Sequence, residues 1–293
     1  MDHVTVTASD GVALDGWVLF PQVPPGVKLP AIMISTPYIG GGNPRPGETG
    51  YKANDGNAPV KEFVSAGFAV VIFSERGTGA SGGCFDVLGP ADQADQPWLV
   101  NWTSTQPWSK GRVGFIGLSL PSSTVFEAAA ANPPGLKAIV VGGVIPDLYS
   151  RDSTPQGAMF GFFVVSDPEF FPQTQMSTGV LGPDPGQSQA SRQLERACPE
   201  STESGTQTQI AAHADDRNEA VWARHNVRVK LPNVTAAVLD ANGFEDGIAF
   251  GDDTLWAEFQ HAPKRAMLGP WLHEFPGDPN GNHPGWERKD WPD

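Results

Sequence analysis

The sequence predicts an α/β protein: a mostly parallel sheet with helices on both faces. Three observations predict it. Short, almost wholly apolar runs at 31–35, 68–73, 113–116 and 136–141 are those of strands buried on both faces. Between them lie stretches with helical spacing of apolar residues, so strand and helix alternate. The third observation is local. The run Val113 to Ile116 passes through Gly117 to a lone Ser119 and then to a helix opening with Pro121. That is the build of an elbow that lifts a serine hydroxyl above the end of a sheet.

In chain order, Val4 to Ala8 and Leu14 to Phe20 alternate as strands around Asp10-Gly11, a hairpin turn. A proline-rich connection, Pro21 to Pro30, leads to the buried strand Ala31 to Ser35. A glycine-rich loop, Thr36-Pro37-Tyr38-Ile39-Gly40-Gly41-Gly42, follows. Ala58 to Ala66 reads as helix and Phe68 to Phe73 as strand. Pro90 to Thr105 carries Ala94, Trp98, Leu99 and Trp102 at helical spacing. The elbow helix, Pro121 to Ala131, stops at Asn132-Pro133-Pro134-Gly135, and Leu136 to Val141 is another strand.

From 146 to about 230 the alternation fails, and a cluster of Phe160, Phe162, Phe163, Phe170 and Phe171 stands among polar residues. The segment is too long for a loop and reads as an inserted, mainly helical cap. The core then resumes over 231–275, with strands at Val234 to Leu239 and Arg265 to Leu268 and a helix at Asp252 to His261. The division is thus core 1–145, cap 146–230, core 231–275 and an irregular tail 276–293.

Composition narrows the function. The chain has 293 residues, a formal charge of -14 and two cysteines. Such acidity argues against a nucleic-acid or anionic-membrane surface. No run of about 18 apolar residues exists to span a bilayer. The cysteines, Cys84 and Cys198, form no C-x-x-C, so no metal site is expected. Met1-Asp2-His3-Val4-Thr5 does not read as a signal peptide. The protein is therefore read as cytoplasmic, or as exported with its signal outside this sequence. Nothing fixes its oligomeric state.

A serine nucleophile needs a base and an acid that orients the base, here in the chain order nucleophile, acid, base. Of six histidines, only His273 directly follows a predicted strand; His3, His213, His225, His261 and His283 do not. For the acid, Asp246 falls in the loop after the strand 234–239, with Asp240 and Glu245 as competitors. The Leu120 N–H, at the positive end of the elbow helix, is placed to stabilise an oxyanion. Tyr38, after an early strand, is placed to add a second donor. Gly77-Thr78-Gly79-Ala80-Ser81-Gly82 matches a dinucleotide fingerprint, but Gly83, Gly89 and Pro90 keep it from opening into a helix, so no cofactor is expected.

The series Asp10-Gly11-Val12-Ala13-Leu14, Thr36-Pro37-Tyr38, Glu75-Arg76-Gly77-Thr78-Gly79-Ala80-Ser81-Gly82-Gly83, Gln106-Pro107-Trp108, the elbow, Gly243-Phe244-Glu245-Asp246 and Leu268-Gly269-Pro270-Trp271-Leu272-His273 resembles one family. It is the X-prolyl dipeptidyl-peptidase and cocaine-esterase (CocE/NonD-type) family of α/β-hydrolases. The resemblance implies the α/β-hydrolase fold and a Ser119, Asp246 and His273 triad, with Tyr38 and the Leu120 amide as oxyanion hole. It further implies a small-molecule ester or peptide substrate, X-Pro dipeptidyl-peptidase activity first and small-acyl esterase activity as the alternative. A catalytically disabled binding module is the alternative of another class. The family usually has Tyr at the position of Leu120 and Gly at that of Ser122, differences that alter the acyl pocket. It also usually continues into a C-terminal β jelly roll, so the chain is read as a fragment or a minimal form. Exported members often carry cysteines where Cys84 and Cys198 stand, which implies one disulfide and favours export.

Overall fold

A computed structural model describes residues 1–37, 59–78, 80–85, 88–143, 146–147, 220–244, 246 and 256–275. The strands are β1 (Asp2–Thr7), β2 (Ala13–Leu19), β3 (Leu29–Thr36), β4 (Ala69–Ser74), β5 (Ser109–Leu118), β6 (Leu136–Gly142), β7 (Ala237–Gly243) and β8 (Lys264–Gly269). They form one eight-stranded sheet in the order β1-β2-β4-β3-β5-β6-β7-β8. β1 and β2 pair antiparallel, as do β2 and β4; from β4 to β8 every neighbour is parallel. The hairpin turns at Gly11, whose φ of 90° only glycine adopts cheaply.

The period of two along each strand explains the layers. Met33, Phe73, Phe115 and Val113 face one way, against Leu99 and Val100 of α2 (Pro90–Thr105) and Val125 and Phe126 of α3 (Leu120–Ala131). Ile34, Val70, Ile72, Ile116 and Leu118 face the other way, toward Val60, Phe63 and Val64 of α1 (Val60–Ser65) and Phe275. All six residues of β4 are buried, as expected of a strand covered on both faces. The largest buried side chains of α3 and its surroundings, such as Phe126, are worth roughly 3–5 kcal/mol each on truncation to Ala.

The glycine loop after β4 is a closed structural device. Gly77 N–H bonds the Gly82 carbonyl and Gly82 N–H bonds Ala13 O on β2, both at 2.8 Å. The Thr78 and Ser81 N–H groups are taken up by Glu75 O and Thr78 O. A phosphate would find these four donors already used; Gly77 itself, at φ 73°, has no room for a Cβ, which would run into the Phe85 N. Beside it the Arg76 guanidinium grips Asp95 of α2 through Nε and Nη2, each at 2.8 Å, and reaches Asp10 in the hairpin turn at 2.9 Å. Arg76 thereby ties three separate pieces of chain into one rim.

One strand lies elsewhere than the sequence predicts. β7 starts at Ala237, not at Val234, and continues to Gly243. Residues 228–233 form a 3-10 turn containing Pro232, closed by the Val234 N–H on Leu231 O. The next residues are claimed by α3: Asn132, in the left-handed conformation (φ 48°), bonds the Thr235 N–H and hydroxyl through Oδ1 and Asn233 O through Nδ2. This displacement carries Asp240 out of the loop and into the strand.

The cap expected over 146–230 falls largely outside the described residues, as do the tail 276–293 and the first four residues of the helix expected at 252–261; 256–258 are helical. Its two stems do meet. Asp147 and Asn226 form an antiparallel bridge, and Val227 N–H bonds Pro146 O at 3.0 Å. A short helix, α4 (Ala220–Arg224), leads into the second stem. Among the described residues no helix is long and apolar enough to cross a membrane.

Candidate active site

Ser119 sits between β5 and α3 with φ 65° and ψ −135°, a conformation that L-residues avoid. Such a backbone costs about 1–3 kcal/mol and persists only where its surroundings hold it. They do so here. The Ser119 N–H bonds Gly142 O at the end of β6 at 2.8 Å. The Ser119 carbonyl accepts both the N–H and the hydroxyl of Ser122 in the first turn of α3. Gly117 must lack a Cβ, because one would run into the Pro121 carbonyl. Leu120 is the first residue of α3, and the first N–H groups of a helix have no intrahelical partner.

His273 stands four residues after β8, in Trp271-Leu272-His273-Glu274-Phe275. Trp271 and Phe275 are buried, so the chain is anchored on both sides of the histidine. Its side chain remains about one-third exposed at 36%, while that of Asp246 is buried at 2%. The Nδ1 of His273 and Oδ2 of Asp246 are 2.8 Å apart. A carboxylate only accepts, so Nδ1–H donates and Nε2 keeps its lone pair. Asp246 itself is fixed by its own N–H to Gly243 O at 3.2 Å.

The serine and the acid–base pair share a floor. Gly142 receives Ser119; the next residue, Gly143, lies directly beneath the histidine. A Cβ on Gly143 would be 2.7 Å from His273 Cε1, 3.2 Å from Nδ1 and 3.4 Å from Asp246 Oδ2. Its φ is +56°, so glycine is demanded by conformation and by space.

The other sequence candidates separate. Asp240 is buried within β7, where the Asn242 Nδ2 donates to its Oδ1 at 2.6 Å; it is not in the loop that faces His273. His3 bonds Asp15 on the hairpin at the far edge of the sheet. Tyr38, Glu245, His213, His283 and Cys198 lie outside the described residues, and with Cys198 the pairing expected for Cys84. Among the described residues no group of three or more His, Cys, Asp or Glu is placed to hold a metal. Gly142, Gly143 and Asn242 were not singled out from sequence. A Gly-Gly pair ending an apolar strand was the signal available for the first two.

Burial pushes the Asp240 carboxyl up to about 7 from an ordinary 3.8, against the opposing hydrogen bond from Asn242. The folded chain therefore keeps a proton that the unfolded chain releases, and stability falls as pH rises from about 4 to about 7. At about 1.36 kcal/mol per unit, the loss is roughly 4 kcal/mol. Asp240→Asn keeps the acceptor without the charge. Thermal melts at pH 5 and pH 8 are expected to show a markedly smaller gap for this variant than for the wild type; equal gaps would contradict the assignment.

The family model of X-Pro dipeptidyl-peptidases (S15 family) matches residues 10–274. The cocaine esterase of Rhodococcus sp. (strain MB1 Bresler) is 28% identical over 231 residues, covering 72% of this chain and 40% of that protein. A putative Xaa-Pro dipeptidyl-peptidase of Streptomyces avermitilis is 31% identical over 150 residues, 42% of this chain and 22% of that one. The matches thus span less than half the length of these relatives. Among solved structures, an α-amino acid ester hydrolase superposes with a TM-score of 0.67 at 20% identity, covering 93% of this chain and 48% of that chain. With the strand order, this likeness makes the fold an α/β-hydrolase fold.

Proposed function

The chain belongs to the X-Pro dipeptidyl-peptidase (S15) family, and from that premise we propose that it is a serine hydrolase acting through Ser119, His273 and Asp246. The observation that carries the reading is the 2.8 Å His273–Asp246 hydrogen bond on the same glycine floor that holds the strained Ser119. In the reaction, Ser119 Oγ attacks the acyl carbonyl as His273 Nε2 takes its proton. The carbonyl electrons move onto oxygen, where the Leu120 N–H and the Tyr38 hydroxyl stabilise the oxyanion. The tetrahedral intermediate collapses, and His273 returns the proton to the departing alcohol or amine. Water then repeats the sequence on the acyl-enzyme and releases the acid. Asp246 holds His273 in the Nδ1–H tautomer throughout.

The substrate class that the family description supports is a peptide with proline second from its N-terminus. Small-acyl ester hydrolysis is the second reading, favoured by the longer match to a cocaine esterase. In either case a cap over 146–230 would cover the site, a reading supported by the joined stems at Asp147 and Asn226. A Cys84–Cys198 disulfide is proposed with it; non-reducing mass mapping is expected to find the two peptides linked, and two alkylated thiols would refute it.

The deciding experiment pairs initial rates on p-nitrophenyl acetate and Ala-Pro-p-nitroanilide with labelling by a fluorophosphonate. Cleavage of the anilide and an adduct on Ser119 are expected. Cleavage of the ester alone makes the protein an esterase. Neither rate nor adduct would leave a binding module.

A further inference from the structure

Asn242 links two pieces of backbone that carry different parts of the site. It lies in β7, is 3% exposed, and its two side-chain groups are both engaged. Oδ1 accepts the Gly143 N–H at 2.7 Å, and Nδ2 donates to Asp240 Oδ1 at 2.6 Å. The assignment of oxygen and nitrogen is fixed by these partners, since a backbone N–H must meet the oxygen. The residue held in this way is the left-handed glycine beneath His273. Gly142, immediately before it, receives the Ser119 N–H. On the other side, Gly243 follows Asn242 so closely against the Trp271 carbonyl that it has no room for a Cβ, and its own carbonyl receives the Asp246 N–H.

We infer that Asn242 is a positioning residue: through the Gly143 N–H it fixes the floor on which Ser119 and His273 are brought into register. Asp240 orients the amide so that its oxygen faces Gly143. The inference rests on the Ser119–His273–Asp246 reading and adds to it a residue that touches no substrate. Losing the bond frees Gly143 to leave its left-handed conformation, and the imidazole above it shifts. Displacements near 1 Å in such sites cost about 100-fold in rate.

The test measures kcat and KM for p-nitrophenyl acetate, and the His273 Nδ1–H proton resonance, in the whole chain. Asn242→Ala is expected to lower kcat about 30- to 100-fold with KM within about threefold, and to shift or broaden the His273 resonance. Asn242→Asp, which retains an acceptor for Gly143, is expected to restore most of kcat. Should Asn242→Ala not fold, Asn242→Gln, whose carbonyl stands one methylene further out, takes its place with the same expected loss. A folded Asn242→Ala or Asn242→Gln with wild-type kcat and an unmoved resonance would overturn the inference, as would an Asn242→Asp as slow as Asn242→Ala. His273→Ala is measured alongside. If it is inactive while Asn242→Ala is normal, only the positioning role falls; if it too is normal, the triad falls with it.

Discussion

Ser119→Ala is expected to lower kcat on p-nitrophenyl acetate by about 10⁶-fold while leaving the melting temperature within a few degrees of wild type. The size of the first effect follows from the role of Oγ: without it no acyl-enzyme forms, and the other groups have no proton to move. The smallness of the second follows from the structure. The Ser119 side chain makes no capping hydrogen bond to α3; the elbow is held by its backbone N–H and carbonyl, both of which alanine keeps. Alanine also keeps the strain at φ 65°. Ser119→Gly, which relieves it, is expected to be equally inactive and more stable by about 1–2 kcal/mol. Stability gained as activity is lost would mark a residue kept in place for chemistry. Unchanged hydrolysis in Ser119→Ala would end the assignment.

The elbow was legible in sequence because its requirements are local. Gly117 answers a backbone contact five residues wide, and Pro121 fits a helix start whatever the fold does elsewhere. His273 was singled out on a similarly local feature, its place directly after a predicted strand; the structure sets it four residues after β8 with Nδ1 against Asp246. Helix α2 was placed at 90–105 by its apolar spacing, and the structure places it there. The glycine series at 77–82 was read as a loop rather than a nucleotide cradle because Gly83, Gly89 and Pro90 keep the chain irregular after it. Its actual partner, the Ala13 carbonyl on β2, could not be read.

What sequence did not yield depends on contacts between distant segments. Val234 to Leu239 has every local mark of a strand. Its first residues are lost to the sheet because Asn132, about a hundred positions earlier, bonds Thr235. Local propensity yields to a tertiary contact there. With the strand displaced, Asp240 moves from a loop candidate to a buried strand residue, and the choice between Asp240 and Asp246 becomes geometric. Asn242 was invisible for the same reason. An asparagine near a strand end is ordinary in a sequence, and only the approach of Gly143 from the neighbouring strand gives it a task.

Asp246→Asn is expected to lower kcat by about 10³- to 10⁴-fold with little change in KM. The carboxylate only accepts, and therefore keeps the Nδ1–H tautomer that leaves Nε2 free to take the Ser119 proton. An amide of the same shape can present its NH₂ to Nδ1 instead. The proton then resides on Nε2, and the histidine no longer acts as a base toward serine. The fold is expected to persist, since the Asp246 backbone is tied to Gly243 independently of the side chain. Two measurements separate this from a general disturbance. Melting temperature is expected to stay near wild type, and the His273 ring resonances are expected to report the other tautomer. The competing acid provides the counter-test. If Asp240→Asn costs more in kcat than Asp246→Asn, the orienting role passes to the buried residue of β7, and the hydrogen bond seen between Asp246 and His273 is structural.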